Sequence, residues 1–159
     1  MRKWLALAAV IVVLDQITKY VVVQNFVLHE SLRVTSFFNL VRVHNAGASF
    51  SMLADAGGWQ RWFFIAIAVA ASIWVVWLMA RHTQQKLFCL ALTLILGGAV
   101  GNLIDRVLFG AVVDFLQFHY GGWYFPAFNV ADSSITCGAV LLILDGFRGE
   151  RNVPVESKS

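Results

Sequence analysis

Four long apolar stretches divide the chain, at about residues 4–26, 62–80, 87–109 and 134–147. The first three have about the 20 residues needed to cross a hydrocarbon core roughly 30 Å thick. The fourth is short, and counting it from Val130 makes it a full span. Between spans one and two, residues 32–43 mix β-branched and aromatic positions with polar ones, a pattern that predicts extended structure. Between spans three and four, residues 112–118 and 123–128 flank Tyr120-Gly121-Gly122, which reads as a hairpin with a glycine turn. A small β platform drawing strands from both connections is expected on one membrane surface. Residues 54–61 turn at Gly57-Gly58 and suit the interface, where Trp59 and Trp62 are comfortable.

Composition sharpens this picture. The 159 residues are 59% hydrophobic and 13% charged, with mean hydropathy +0.72, whereas soluble domains run about 45–50% apolar and about 25% charged. The pI of about 9.1 does not point to nucleic acid, because the basic residues are dispersed and flank the spans. Arg2 and Lys3 precede span one, Arg81 and Lys86 lie between spans two and three, and Arg148, Arg151 and Lys158 follow span four. Four crossings put these regions on one side, and the positive-inside rule makes that side cytoplasmic, both termini included. Arg33, Arg42 and Arg61 on the opposite side weaken the bias without reversing it. Span one opens like a secretory signal but meets Asp15, Gln16, Thr18 and Lys19 rather than a small-residue cleavage site, and is read as a retained helix. Cys89 and Cys137 both fall inside spans, which suits packing better than a disulfide framework or zinc site.

Ionisable residues near a bilayer are functional candidates by default. Val112-Val113-Asp114-Phe115 closes span three, and Phe128-Asn129-Val130-Ala131-Asp132-Ser133 opens span four. Taken singly, Asp114 is a strand-end residue and Asp132 sits where a helix N-cap would. Together they emerge at one membrane face from consecutive spans. Two close carboxylates share a proton, the basis of acid/base hydrolysis. Asp15 and Lys19 are four apart on one helix face, as an ion pair requires. Span three ends with Gly98, Asn102 and Arg106 on one face and Gly97, Gly101 and Asp105 on another. The glycines permit close approach of a helix or ligand, and the Arg106 fork suits a carbonyl or carboxylate. Asn45 opens a turn-like run of small residues, 45–49. His44 and His119 have no evident partner and are assigned neither metal nor catalysis.

These blocks, with Asp15-Gln16-Ile17-Thr18-Lys19 and Asn45-Ala46-Gly47-Ala48-Ser49-Phe50, closely resemble the signature of bacterial lipoprotein signal peptidases (signal peptidase II). The resemblance runs from Asp15 to Asp145 in matching order; Ser49 stands where many members carry Ala. It implies a membrane α-helical fold, with four transmembrane helices, a small extracytoplasmic β cradle and an interfacial helix. Residues 1–159 are read as a single domain, with a polar tail from about 149 that the charge bias places in the cytoplasm and that lies outside the resemblance. The resemblance also implies an aspartic endopeptidase of the bacterial inner membrane that removes signal peptides from diacylglyceryl-modified prolipoproteins, cutting just before the lipid-modified cysteine. Asp114 and Asp132 then become the catalytic dyad. Asp15, Lys19, Asn45, Gly98, Asn102, Asp105, Arg106, Asn129 and Ala131 line or support the substrate site. No metal or organic cofactor is implied; the expected partners are the prolipoprotein and membrane lipid, with no nucleic acid and a monomeric chain.

Two other classes remain open on the residues alone. A small transporter would use Asp15, Lys19, Asp105 and Arg106 as a polar path, but spans two and four are nearly free of polar groups until their ends. A non-enzymatic assembly factor would leave Asp114 and Asp132 dispensable.

Overall fold

A computed structural model describes residues 1–47 and 58–150, the last three by backbone alone. Elements follow in the order α1 (Arg2–Asn25), β1 (Ser31–Arg33), β2 (Phe38–Asn45), α2 (Trp59–Arg81), α3 (Lys86–Phe109), β3 (Val112–Tyr120), β4 (Trp123–Tyr124) and α4 (Val130–Glu150). All four helices are long and apolar enough to cross a membrane. In lipid a helix satisfies its own backbone, which is why unbroken apolar runs take this form. The expected spans are recovered, and α4 does begin at Val130. Of the segment 54–61 expected at the interface, residues 54–57 lie outside the described residues, as do Ala48, Ser49 and Phe50, whereas residues 59–61 form the first turn of α2.

The burial pattern inverts that of a soluble protein. Val10, Val13, Leu14 and Ile17 on α1, Ile73 and Trp74 on α2, and Ile143 and Leu144 on α4 are exposed, while Asp15, Lys19, Thr93, Asn102 and Asp105 are buried. The large outward apolar faces of α1, α2 and α4 are surfaces for lipid, not water. α3 is the spine: α1, α2 and α4 all pack on it, and α2 has α3 as its one substantial helical neighbour among the described residues. A core of Ala8, Val75, Met79, Leu92 and Leu96 joins α1, α2 and α3. On the other flank α4 lies close against α3, where Ser134 Oγ donates to the Leu94 carbonyl at 2.8 Å and Gly138 leaves no room for a side chain beside the Ala91 carbonyl.

The strands form one antiparallel sheet, β1-β2-β3-β4, at the end of the bundle where α1 and α3 finish and α2 and α4 begin. The sheet does share strands from both connections. The stretch 32–43, read as one extended segment, is instead broken: β1 and β2 pair through Arg33↔Asn39, with a tight reversal between. The β3–β4 hairpin turns on Gly121 and Gly122, with φ of +57° and +84°; two successive positive φ values favour glycine at both positions. β4 ends at Tyr124, earlier than expected: the Phe125 N–H still donates to the Phe118 carbonyl at 2.8 Å, but Pro126 has no N–H to give, and the ladder returns at the Leu116↔Phe128 bridge.

Two arginines tie the sheet end together. Register slips by one residue between Leu40 and Val43 of β2, and Arg42 within that bulge donates to the Val23 and Phe26 carbonyls at 3.1 and 2.7 Å. Arg61 in the first turn of α2 donates to the Arg106 and Val107 carbonyls at 2.9 and 2.8 Å. Carbonyls at a helix C-terminus lack intrahelical donors and carry partial negative charge. Arg42 on β2 thus caps α1, and Arg61 on α2 caps α3.

Candidate active site

Asp114 and Asp132 both open on one cavity of about 830 Å³. Its walls are Phe64, Ile67, Ala68 and Ala71 of α2, Ile95 and Ala99 of α3, the hairpin aromatics, and Ser133, Ile135 and Thr136 of α4. The polar groups gather at its sheet end.

Asp132 is not the N-cap of α4. That position is Asn129, whose Oδ1 accepts from the Asp132 N–H at 2.9 Å, while Asp132 Oδ2 accepts from the Asn129 N–H at 3.2 Å. This reciprocal box satisfies two of the orphan donors at the helix start and fixes the Asp132 carboxylate. Its other oxygen accepts from Asn102 Nδ2 at 2.7 Å. Asp114 lies on β3, past the end of α3, and is held just as fully: Oδ1 accepts from Asn129 Nδ2 at 2.7 Å and Oδ2 from Asn45 Nδ2 at 3.1 Å. Asn129 thus touches both aspartates. Burial pushes the Asp114 carboxyl up to about 7, and the negative charge of Asp132 adds to the rise against the Asn45 and Asn129 hydrogen bonds and the Lys19 charge. Such a group holds its proton near neutrality.

Behind this front sits a second polar layer. Lys19 Nζ meets Asp15 Oδ2 at 2.8 Å, Asp105 Oδ2 at 2.9 Å and Asn102 Oδ1 at 2.9 Å. The expected Asp15–Lys19 pair is therefore one side of a triangle closed by Asp105 from α3. Asp15 also accepts from the Ala131 N–H at 2.9 Å, and Asp105 from the Val113 N–H at 3.1 Å. Gln16, not singled out in the sequence, bridges Asp15, Asp105 and the Gly101 carbonyl; its place in the polar break of span one was the available signal. A side chain at Gly98 would collide with the Ala131 carbonyl and Ile135, and one at Gly101 would lie 2.6 Å from Asp15 Oδ2. Ala131 is fully buried in this contact. Arg106 does hold a carbonyl, that of Gly47 at 3.1 Å, and its guanidinium lies over the Phe64 ring. Cys89 is buried, but Cys137 is exposed on the cavity wall, so packing does not account for it. Among the described residues no group of three His, Cys, Asp or Glu side chains is placed to hold a metal ion.

Four membrane-length helices and two aspartates on one apolar cavity are compatible with one class, a membrane-embedded peptidase of the aspartic type. Residues 7–148 match the family model for signal peptidase II. The lipoprotein signal peptidase of Cupriavidus taiwanensis is 60% identical over 93% of this chain and 84% of its own, and that of Ralstonia nicotianae is 57% identical over 93% and 86%. A solved bacterial membrane enzyme superposes with TM-score 0.87 at 32% identity, covering 100% of this chain and 96% of that one. A second gives 0.79 at 33% identity over 91% and 92%. The chain belongs to the signal peptidase II family, and it is a multi-pass membrane protein.

Proposed function

We propose that Asp114 and Asp132 are the catalytic dyad that removes the signal peptide from diacylglyceryl-modified prolipoproteins, cutting just before the lipid-modified cysteine. The observation that supports this reading is that both carboxylates face one apolar cavity while one amide donor holds each of their oxygens, which leaves a lone pair on each for chemistry. One proton held between them keeps both roles available. The ionised aspartate takes a proton from water as the water oxygen bonds to the scissile carbonyl carbon. The protonated one hydrogen-bonds the carbonyl oxygen and supports the tetrahedral intermediate. Breaking the C–N bond then returns a proton to the departing amine. Asp15, Lys19, Asn45, Gly98, Asn102, Asp105, Arg106, Asn129 and Ala131 support or line that site.

The cavity is bounded by α2 and α4, which flank α3 and, among the described residues, share no substantial contact with each other. That gap would admit a signal helix laterally, and its small or short side chains (Ala68, Ala71, Ala99, Ser133) favour close helix approach. We further place both termini and the α2–α3 connection in the cytoplasm, with the dyad near the extracytoplasmic face, in a monomeric single-domain chain. Acyl chains held at the cavity mouth would contribute about 0.8 kcal/mol per buried methylene. The test is cleavage of a prolipoprotein with and without its diacylglyceryl group by purified enzyme in lipid. Cleavage only of the lipidated form is expected. Equal cleavage of both would refute lipoprotein specificity.

A further inference from the structure

Lys19, Asp15 and Asp105 are almost wholly buried, and none of the three lines the cavity. A substrate in that cavity does not touch them. A net negative triangle of this kind carries a desolvation cost that good hydrophobic packing would avoid, so what its atoms do is informative. All three N–H donors of the ammonium are engaged, two on carboxylates and one on the Asn102 amide oxygen. The two carboxylates then reach forward to the backbone, Asp15 to the N–H of Ala131 and Asp105 to the N–H of Val113. Each of those residues immediately precedes one aspartate of the dyad.

The Asn102 contact adds direction. An ammonium donates and cannot accept, so it fixes the amide with Oδ1 towards Lys19 and Nδ2 towards Asp132. Without the ammonium, Asn102 Oδ1 keeps only the weaker Asn129 contact at 3.2 Å, and the amide is anchored towards Asp132 by its own Nδ2 donation from one side alone. The triangle also joins α1, α3, β3 and α4, the elements whose relative placement sets the gap between the two carboxylates.

We propose that Lys19 is a positioning residue for the hydrolytic step: it orients the Asn102 amide towards Asp132 and, through Asp15 and Asp105, fixes the backbone ahead of both aspartates. The proposal rests on the dyad assignment above. Its test compares Lys19→Met with the neutral triple variant Lys19→Met/Asp15→Asn/Asp105→Asn, in which the two new amides still accept from Ala131 and Val113. Lys19→Met should lower kcat by on the order of 10²-fold, the scale of small misplacements at a reacting centre, with KM within about twofold because the substrate does not reach it. The triple variant should recover thermal stability and remain slow, because no ammonium orients Asn102. If Lys19→Met is too unstable to assay, the triple variant alone carries the comparison. Recovery of kcat in the triple variant would reduce Lys19 to a counter-charge and overturn the proposal. A raised KM at unchanged kcat would overturn it too, by making the lysine a substrate contact. Asp114→Asn is run in parallel: if that variant stays active, the dyad assignment fails, an outcome distinct from failure of the positioning role.

Discussion

Replacing Asp114 by Asn should make the enzyme more stable and less active at once, with a pH dependence that identifies the cause. The wild-type carboxyl has a folded-state value of about 7 against an ordinary 3.8, a rise of roughly three units worth about 4 kcal/mol. The sign follows from proton binding. Between those two values the folded chain keeps the proton and the unfolded chain has released it, so stability falls as pH rises from about 4 to about 7 and is flat beyond. Asn cannot ionise and escapes that loss. It has its own cost, because its Nδ2 must face the Nδ2 of Asn45 or Asn129, where the carboxylate offered an acceptor to each. One such mismatch of buried donors costs about 1–3 kcal/mol. The variant should therefore be less stable than wild type below about pH 4 and more stable above about pH 8, by about 1–3 kcal/mol in each direction. Thermal unfolding in detergent, followed by tryptophan fluorescence across this range, reads the crossing of the two curves. Parallel curves, offset by a constant amount, would mean that Asp114 does not hold its proton near neutrality and would refute the reasoning. Asp132→Asn should flatten only part of the wild-type slope, since burial is the larger cause of the rise and the Asp132 charge the second.

Further outcomes follow from the same geometry. Cleavage should decline as pH rises through about 7, where Asp114 ionises, and a pH–rate profile in lipid checks it; an undiminished rate at alkaline pH would contradict proton sharing. Asp114→Asn and Asp132→Asn should each abolish turnover while folding, with the double variant scarcely worse than either one because partners in a mechanism act as a unit; single-turnover assays measure this. Gly98→Ala, which drives a methyl into the Ala131 carbonyl and Ile135, should cost about 1–3 kcal/mol and slow cleavage, whereas Gly122→Ala, with open space around it, should strain only the turn and leave the rate intact. Thermal melts paired with rates separate the two.

Hydropathy made the four helices legible because lipid asks one question of a segment, whether about 20 residues can bury their backbone without water. The hairpin was legible because Gly121-Gly122 matches one turn. The break between β1 and β2 was not: β-branched and aromatic positions continue through residues 34–37, and only pairing with β3 shows where the strand must turn. Asp15 and Lys19 announced themselves by their i,i+4 spacing, but that spacing reports partners on one helix. Asp105 joins them across 86 positions of chain, which no local pattern records. The N-cap was placed three residues late for a related reason, since both Asn129 and Asp132 suit the role and only the box between them decides. The capping uses of Arg42 and Arg61 were hidden because, in sequence, they are merely charges on the less basic side.

α2 is fastened at its two ends and, among the described residues, has substantial helical support from α3 alone between them. At the sheet end Arg61 grips the finish of α3; at the far end Val75 and Met79 are locked into the core and residues 82–85 turn directly into α3. The stretch between carries Phe64, Ile67, Ala68 and Ala71, which form a wall of the cavity and have lipid at their backs. A rod held this way would bow outward under load without losing either anchor, and would return when the load leaves. The width of the cleft would then be set by its occupant: under the dyad proposed above, signal helices of unequal bulk would present their scissile bonds to one fixed pair of aspartates, and the cost of a poor fit would fall on a flexing helix rather than on the geometry of hydrolysis.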